Sequence, residues 1–157
     1  MQRVVLVLPV EPLSVDDSFR VDRWPLHITV VPPFTARVSL AEIVRLVHSV
    51  AHDEKPFTVT VGDEALFGRD HDVPVNLIVH EERLFGLQHK LTDALVEAGP
   101  GVPRHPFSPH ITMKDHARAY AGDSHLIDRL AVVDMAPRSD PKGRRVLAIA
   151  PFGSRPA

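Results

Sequence analysis

Two stretches decide how this chain is read: Pro25-Leu26-His27-Ile28-Thr29-Val30-Val31-Pro32-Pro33-Phe34 and Phe107-Ser108-Pro109-His110-Ile111-Thr112-Met113. Each centres on the tripeptide His-Ile-Thr. With 10 His and 6 Thr among 157 residues, about 0.4 His-x-Thr triplets arise by chance, so the bare pattern carries little. Requiring Ile in the middle lowers that to roughly 0.015. The triplet nevertheless occurs twice, at matching places in the two halves of the chain. Both stretches have strand composition, and side chains alternate along a strand. His27 and Thr29 therefore share one face while Ile28 and Val30 share the other, and the same holds for His110 and Thr112 against Ile111 and Met113. Each motif offers one imidazole and one hydroxyl, about 7 Å apart along the strand, with its apolar partners directed to a core.

Two such strands side by side would gather two imidazoles and two hydroxyls around a small tetrahedral anion. Phosphodiester cleavage needs that set. One neutral imidazole takes a proton from attacking water and one protonated imidazole donates to the leaving oxygen, both states being accessible near neutral pH. The hydroxyls donate hydrogen bonds to non-bridging oxygens as charge builds. Such a scheme requires neither metal nor cofactor, and none is expected.

With their flanks, the paired motifs resemble those of the two-histidine (2H) phosphoesterase superfamily, and within it the bacterial 2′-5′ RNA ligase-like proteins. Size, motif order and strand–helix sequence agree over most of the chain. The resemblance implies an α+β fold, bilobed and pseudo-symmetric. Two halves of antiparallel sheet would have helices packed outside and a central cleft, the whole of 1–157 forming one domain with its motifs at 27–30 and 110–113. It implies cleavage of a 2′,3′-cyclic phosphate or a related cyclic or 2′-5′ phosphodiester of RNA or a nucleotide, and in some members 2′-5′ RNA joining. His27, Thr29, His110 and Thr112 take the positions of the family's catalytic residues, the first His acting by analogy as acid and the second as base. Many relatives carry an Arg soon after the second motif. Here Lys114 stands on the face of His110 and Thr112 by alternation, and is the candidate substrate-binding cation, a point charge in place of a bidentate fork.

Composition bounds the remaining possibilities. The chain has no cysteine, which excludes disulfides and thiolate chemistry and fits a cytoplasmic protein. A net charge of −2 lacks the basic surplus of proteins that grip long duplexes, so a small nucleotide or an RNA terminus is the expected partner. No run approaches a membrane span. The chain is expected to act as a monomer without an obligate protein partner. Two other functions are open: a catalytically silent nucleotide-binding module, and a metal-dependent hydrolase drawing on the ten His. His48 and His52 have i, i+4 spacing but lack the Glu of His-Glu-x-x-His, and read as a solvated helix face. Trp24, Phe34, Phe107 and Tyr120 lie near the motifs, and one could stack on a base. Phe34 and Phe107 read as core, and His105 and His116 as ordinary loop residues. Arg20, Arg23 and Arg37 read as surface charge.

Apolar spacing predicts strands over 3–9, buried on both faces, and over 26–31, 56–62, 73–80, 109–114, 130–136 and 144–150. Residues 11–25 read as loop, and Pro32-Pro33 as the end of the second strand. A helix over 39–52 is announced by Ser39 with Glu42 at the capping-box position. A second covers 82–98 and stops at Gly99-Pro100-Gly101.

Overall fold

The computed structural model describes residues 2–99, 102 and 106–153. Its strands are β1 (Arg3–Pro9), β2 (Ser18–Arg20), β3 (His27–Thr35), β4 (Phe57–Phe67), β5 (Val73–Ile78), β6 (His110–Thr112), β7 (Ser124–Ile127), β8 (Arg129–Asp134) and β9 (Gly143–Pro151). The helices are α1 (Leu40–His52) and α2 (Glu82–Ala98), with a short 3-10 turn at Val21–Arg23. The strands form one strongly curled antiparallel sheet in the order β2-β9-β8-β1-β3-β6-β5-β4-β7. The α+β class and the two-sided symmetry about the motif strands are as the resemblance implied. The halves are not the halves of the sequence, however. β8 and β9, from the end of the chain, flank the first motif, while β4 and β5 cross to the second.

β1 explains the layering. Val4 through Leu8 are each 1% exposed or less, as a strand buried on both faces must be. Val4, Leu6 and Leu8 join Ile28, Ile111, Ile43 and Val47 of α1, and Leu84, Leu87 and Leu91 of α2 in the main core. Val5 and Val7 join Ala131, Val133, Val146, Leu13 and Trp24 in a second cluster on the opposite face. The segment before β3 is thus more than a loop: it adds β2 to the sheet edge and lays Leu13 and Trp24 over that second face.

Both helices fall where their stripes place them. Ser39 Oγ accepts from the Glu42 amide at 3.2 Å and starts α1. Gly99 caps α2; Pro100 and Gly101, the rest of the expected stop, lie outside the described residues. β3 departs from expectation by running through Pro32-Pro33 to Thr35. The ladder with β1 skips from Val31 opposite Leu6 to Phe34 opposite Val4, so the two prolines, which have no N–H to donate, occupy a bulge. β4 runs five residues beyond the expected 62, bulging between Val61 and Glu64, and β7 was not foreseen. Among the described residues no helix is long and apolar enough to cross a membrane.

Candidate active site

The motif strands are direct neighbours. β3 and β6 pair antiparallel with Ile28 opposite Ile111, both fully buried in the core beneath the helices. Continuing that register one residue each way sets His27 opposite Thr112 and Thr29 opposite His110. Each imidazole therefore stands beside the other motif's hydroxyl, with Cβ atoms about 4.5–5.5 Å apart. The four polar residues sequence reasoning singled out come together on the face opposite the helices.

Equivalent hydrogen bonds orient the two rings. His27 Nδ1 lies 2.8 Å from the carbonyl oxygen of Pro25, and His110 Nδ1 lies 2.9 Å from that of Ser108. A carbonyl only accepts, so each Nδ1 carries the proton and donates it two residues back. Each neutral ring then presents Nε2 as its lone-pair nitrogen. The flanking prolines act through these bonds: Pro25 supplies one acceptor, and Pro109 follows the other.

Aromatic neighbours break the symmetry. Trp24 stacks on His27 with centroids 4.2 Å apart and planes at 27°, whereas Phe67 meets His110 edge-on at 4.6 Å and 65°. Burial pushes the His27 pKa down to about 4, against the hydrogen bond to Pro25, and the positive charges of Lys114 and His110 push the same way. Lys114 Nζ donates to the Val21 carbonyl at 3.1 Å and lies 5.9 Å from the Trp24 ring centroid. Burial lowers its own pKa, opposed by Asp22 and Asp115 and assisted by Arg144.

Sequence reasoning missed three residues here. Phe67 reaches His110 only because β4 is longer than its alternating segment. Arg144 lies on the face of Val146, its guanidinium 6.0 Å from the Trp24 centroid and its Nη1 donating to the carbonyls of Met135 and Gly143 at 2.8 and 2.7 Å. Strand alternation at the start of β9 would have found its face but not its neighbours. Glu11 accepts from the Leu26 amide at 2.7 Å and meets His116 Nε2 at 2.9 Å, tying the segment before the first motif to the loop after the second. His116 is thus more than an ordinary loop residue. His105 lies outside the described residues. Phe34 is core, Phe107 packs partly buried against it, and Tyr120 is exposed beneath the Arg118 guanidinium. His48 and His52 are solvated, and among the described residues no group of three or more His, Asp or Glu is placed to hold a metal ion.

Residues 6–133 match the model of the 2′-5′ RNA ligase superfamily. The chain belongs to that superfamily. Among solved structures, this superfamily member is similar to TT0787 of Thermus thermophilus, with 18% identity, a TM-score of 0.70, and coverage of 98% of this chain and 100% of that one. It is also similar to a crystal structure described as a phosphoesterase (16%, 0.65, 98% and 100%) and to E. coli LigT complexed with 3′-AMP (15%, 0.63, 98% and 99%). No curated protein matches. At these identities the structures establish a shared fold. Membership of the superfamily makes this an enzyme of the phosphoesterase or ligase type.

A low His27 pKa has a consequence for stability. Between pH 6.5 and about 4 the unfolded chain binds a proton at His27 that the folded chain does not. Stability from this group is therefore complete above about pH 6.5 and falls as pH drops toward 4. Allowing for the ring's remaining solvent contact, the loss is about 2 kcal/mol. Urea unfolding at pH 7 and pH 4.5 should show a smaller acid loss in His27→Gln than in the parent protein. Equal acid losses in the two proteins would refute the shifted His27.

Proposed function

We propose that this protein opens a 2′,3′-cyclic phosphate, or a related cyclic or 2′-5′ phosphodiester, on a nucleotide or RNA terminus, with His27 and His110 as its acid–base pair. The observation that carries this reading is the register setting His27 opposite Thr112 and Thr29 opposite His110, with each Nδ1 committed to a carbonyl. That arrangement leaves two Nε2 atoms for a shared phosphate, one for each side of an in-line displacement. The crystal structures of E. coli LigT with 3′-AMP and with NADP+ support a nucleotide ligand for a related fold.

Local environment suggests how the roles divide. His27 is neutral in the free protein at pH 7, because burial holds its pKa near 4, and it is suited to accept a proton. In the proposed hydrolysis, water attacks phosphorus and gives its proton to His27 Nε2. The P–O bond to the leaving sugar oxygen breaks, and that oxygen takes a proton from His110 Nε2. The phosphomonoester released leaves the two imidazoles with exchanged protons. This reverses the assignment by family analogy, the reason being the burial that holds down the pKa of His27, on whose ring Trp24 stacks. Thr29 and Thr112 donate to the non-bridging oxygens, and Lys114 offsets their negative charge. With a sugar hydroxyl attacking the cyclic phosphate in place of water, the same steps join two strands, the ligase direction. One chain supplies both histidines, so the proposed chemistry needs no second subunit and is compatible with a monomer.

The test is a panel of nucleoside 2′,3′-cyclic phosphates, ADP-ribose 1″,2″-cyclic phosphate and 2′-5′-linked dinucleotides, each with and without chelator. At least one should be turned over at a rate the chelator does not change. Binding of a nucleoside 2′-phosphate with no turnover of any member would favour the silent binding module. Turnover abolished by the chelator would favour a metal-dependent hydrolase.

A further inference from the structure

At the other end of the same strands lies a cavity of about 850 Å³ that the two-histidine chemistry does not use. Arg3, Arg37, Arg138 and Arg145 line it together with Asp134 and Ser39. β1 measures the separation. Arg3 is at the cavity and Pro9 pairs with His27, six residues or about 20 Å further along. Ser39 caps α1, so the positive end of that helix's dipole also faces the cavity.

Four guanidinium groups around one space repel each other unless anions offset them. Arg145 pairs with Asp16 at 2.7 Å. Asp134 is 7% exposed, and its Oδ1 accepts from the Ala136 amide. Counting both carboxylates against the four guanidiniums leaves a surplus of two positive charges (4 − 2 = 2). Among the described residues Arg3, Arg37 and Arg138 form no ion pair. These three come from the start of β1, the β3–α1 connection and the β8–β9 connection. Their charges therefore surround the cavity from separate segments and do not merely follow one another along a helix.

We propose that this cavity is a second ligand site that binds a small, multiply charged phosphate compound, such as an organic or inorganic di- or triphosphate. Guanidinium forks match phosphate oxygens bidentately, and several of them around one space suit a ligand with more than one anionic group. The volume falls in the range of small-molecule sites. The chain's net charge of −2 opposes an extended nucleic-acid strand as the occupant. This inference stands apart from the proposed chemistry at His27 and His110 and survives if that reading fails.

Amide-resolved NMR titration with inorganic tripolyphosphate at 150 mM salt tests it, using the full chain and the variant Arg37→Glu/Arg138→Glu. Both positions are exposed, so the variant is expected to fold, and an unchanged thermal transition would check this. Saturable shifts are expected at the Ser39 and Arg138 amides, weakened at least tenfold in affinity by the double substitution. Arg37→Lys/Arg138→Lys should retain most of the binding. Shifts confined to the neighbourhood of His27 and His110, or equal affinity in the charge-reversed variant, would overturn the proposal. Tenfold tighter binding at these amides by a short single-stranded oligonucleotide than by tripolyphosphate would overturn the small-ligand assignment.

Discussion

His27→Gln and His110→Gln are each expected to lower turnover of a susceptible cyclic phosphate by about 10²- to 10⁴-fold, the range for losing a positioned proton-transfer group. Gln keeps approximate size and polarity but cannot exchange protons near neutral pH, so a folded and inactive variant isolates the acid–base role. Because the two groups act as a unit, the double variant should fall little further than the worse single one. The profile of kcat/KM against pH should be bell-shaped, with an acid limb that reports His27 and lies near pH 4, not near 6.5. Trp24→Ala removes the ring stacked 4.2 Å from His27 and should move that limb upward. A structural role for Trp24 alone would reduce activity without displacing the limb. Full activity in both single histidine variants would remove the two-histidine mechanism altogether.

The second large effect is on stability. Ile28→Ala and Ile111→Ala should each cost about 2–5 kcal/mol, read as a shift of the urea midpoint at constant slope. Both side chains are fully buried, and they form the backbone pair through which the two sides of the sheet meet. Truncating either opens a cavity between sheet and helices at the strands that carry the histidines. The two losses should not add, since the residues face each other across one ladder position. Ile28→Val, which removes a single methylene, should cost about 0.5–1.5 kcal/mol. A loss below about 1 kcal/mol for both alanine variants would mean that the motif strands are held together elsewhere.

The site was legible in the sequence to the extent that it depends on local periodicity. Alternation put His27 with Thr29 and His110 with Thr112, and put Lys114 on the same face. The two helices were legible for the same reason: their apolar stripes and the Ser39 cap are written within a few residues of one another. Pro32-Pro33 misled because a proline is forbidden only where its N–H is needed, and the bulge in β3 that removes that need is defined only by its pairing with β1. β4 was cut short because its continuation into Phe67 is half-exposed and lacks clean alternation beyond the bulge.

By itself the sequence singled out the residues proposed to carry the chemistry, and determined which face of each motif strand they share and that the class is α+β. Only the tertiary structure decided that the motif strands are adjacent, that each His stands opposite the other motif's Thr, and that β8 and β9 return to the first motif's side. It also decided that the two imidazoles are unequal. Periodicity acts over neighbouring residues, whereas strand pairing and desolvation depend on contacts between segments distant in sequence. Trp24 could be recognised as close to His27 along the chain, but its stack on the ring depends on the second apolar cluster that draws the indole down onto the sheet. His-Ile-Thr occurs twice with the same letters, and the fold around each copy makes them chemically different.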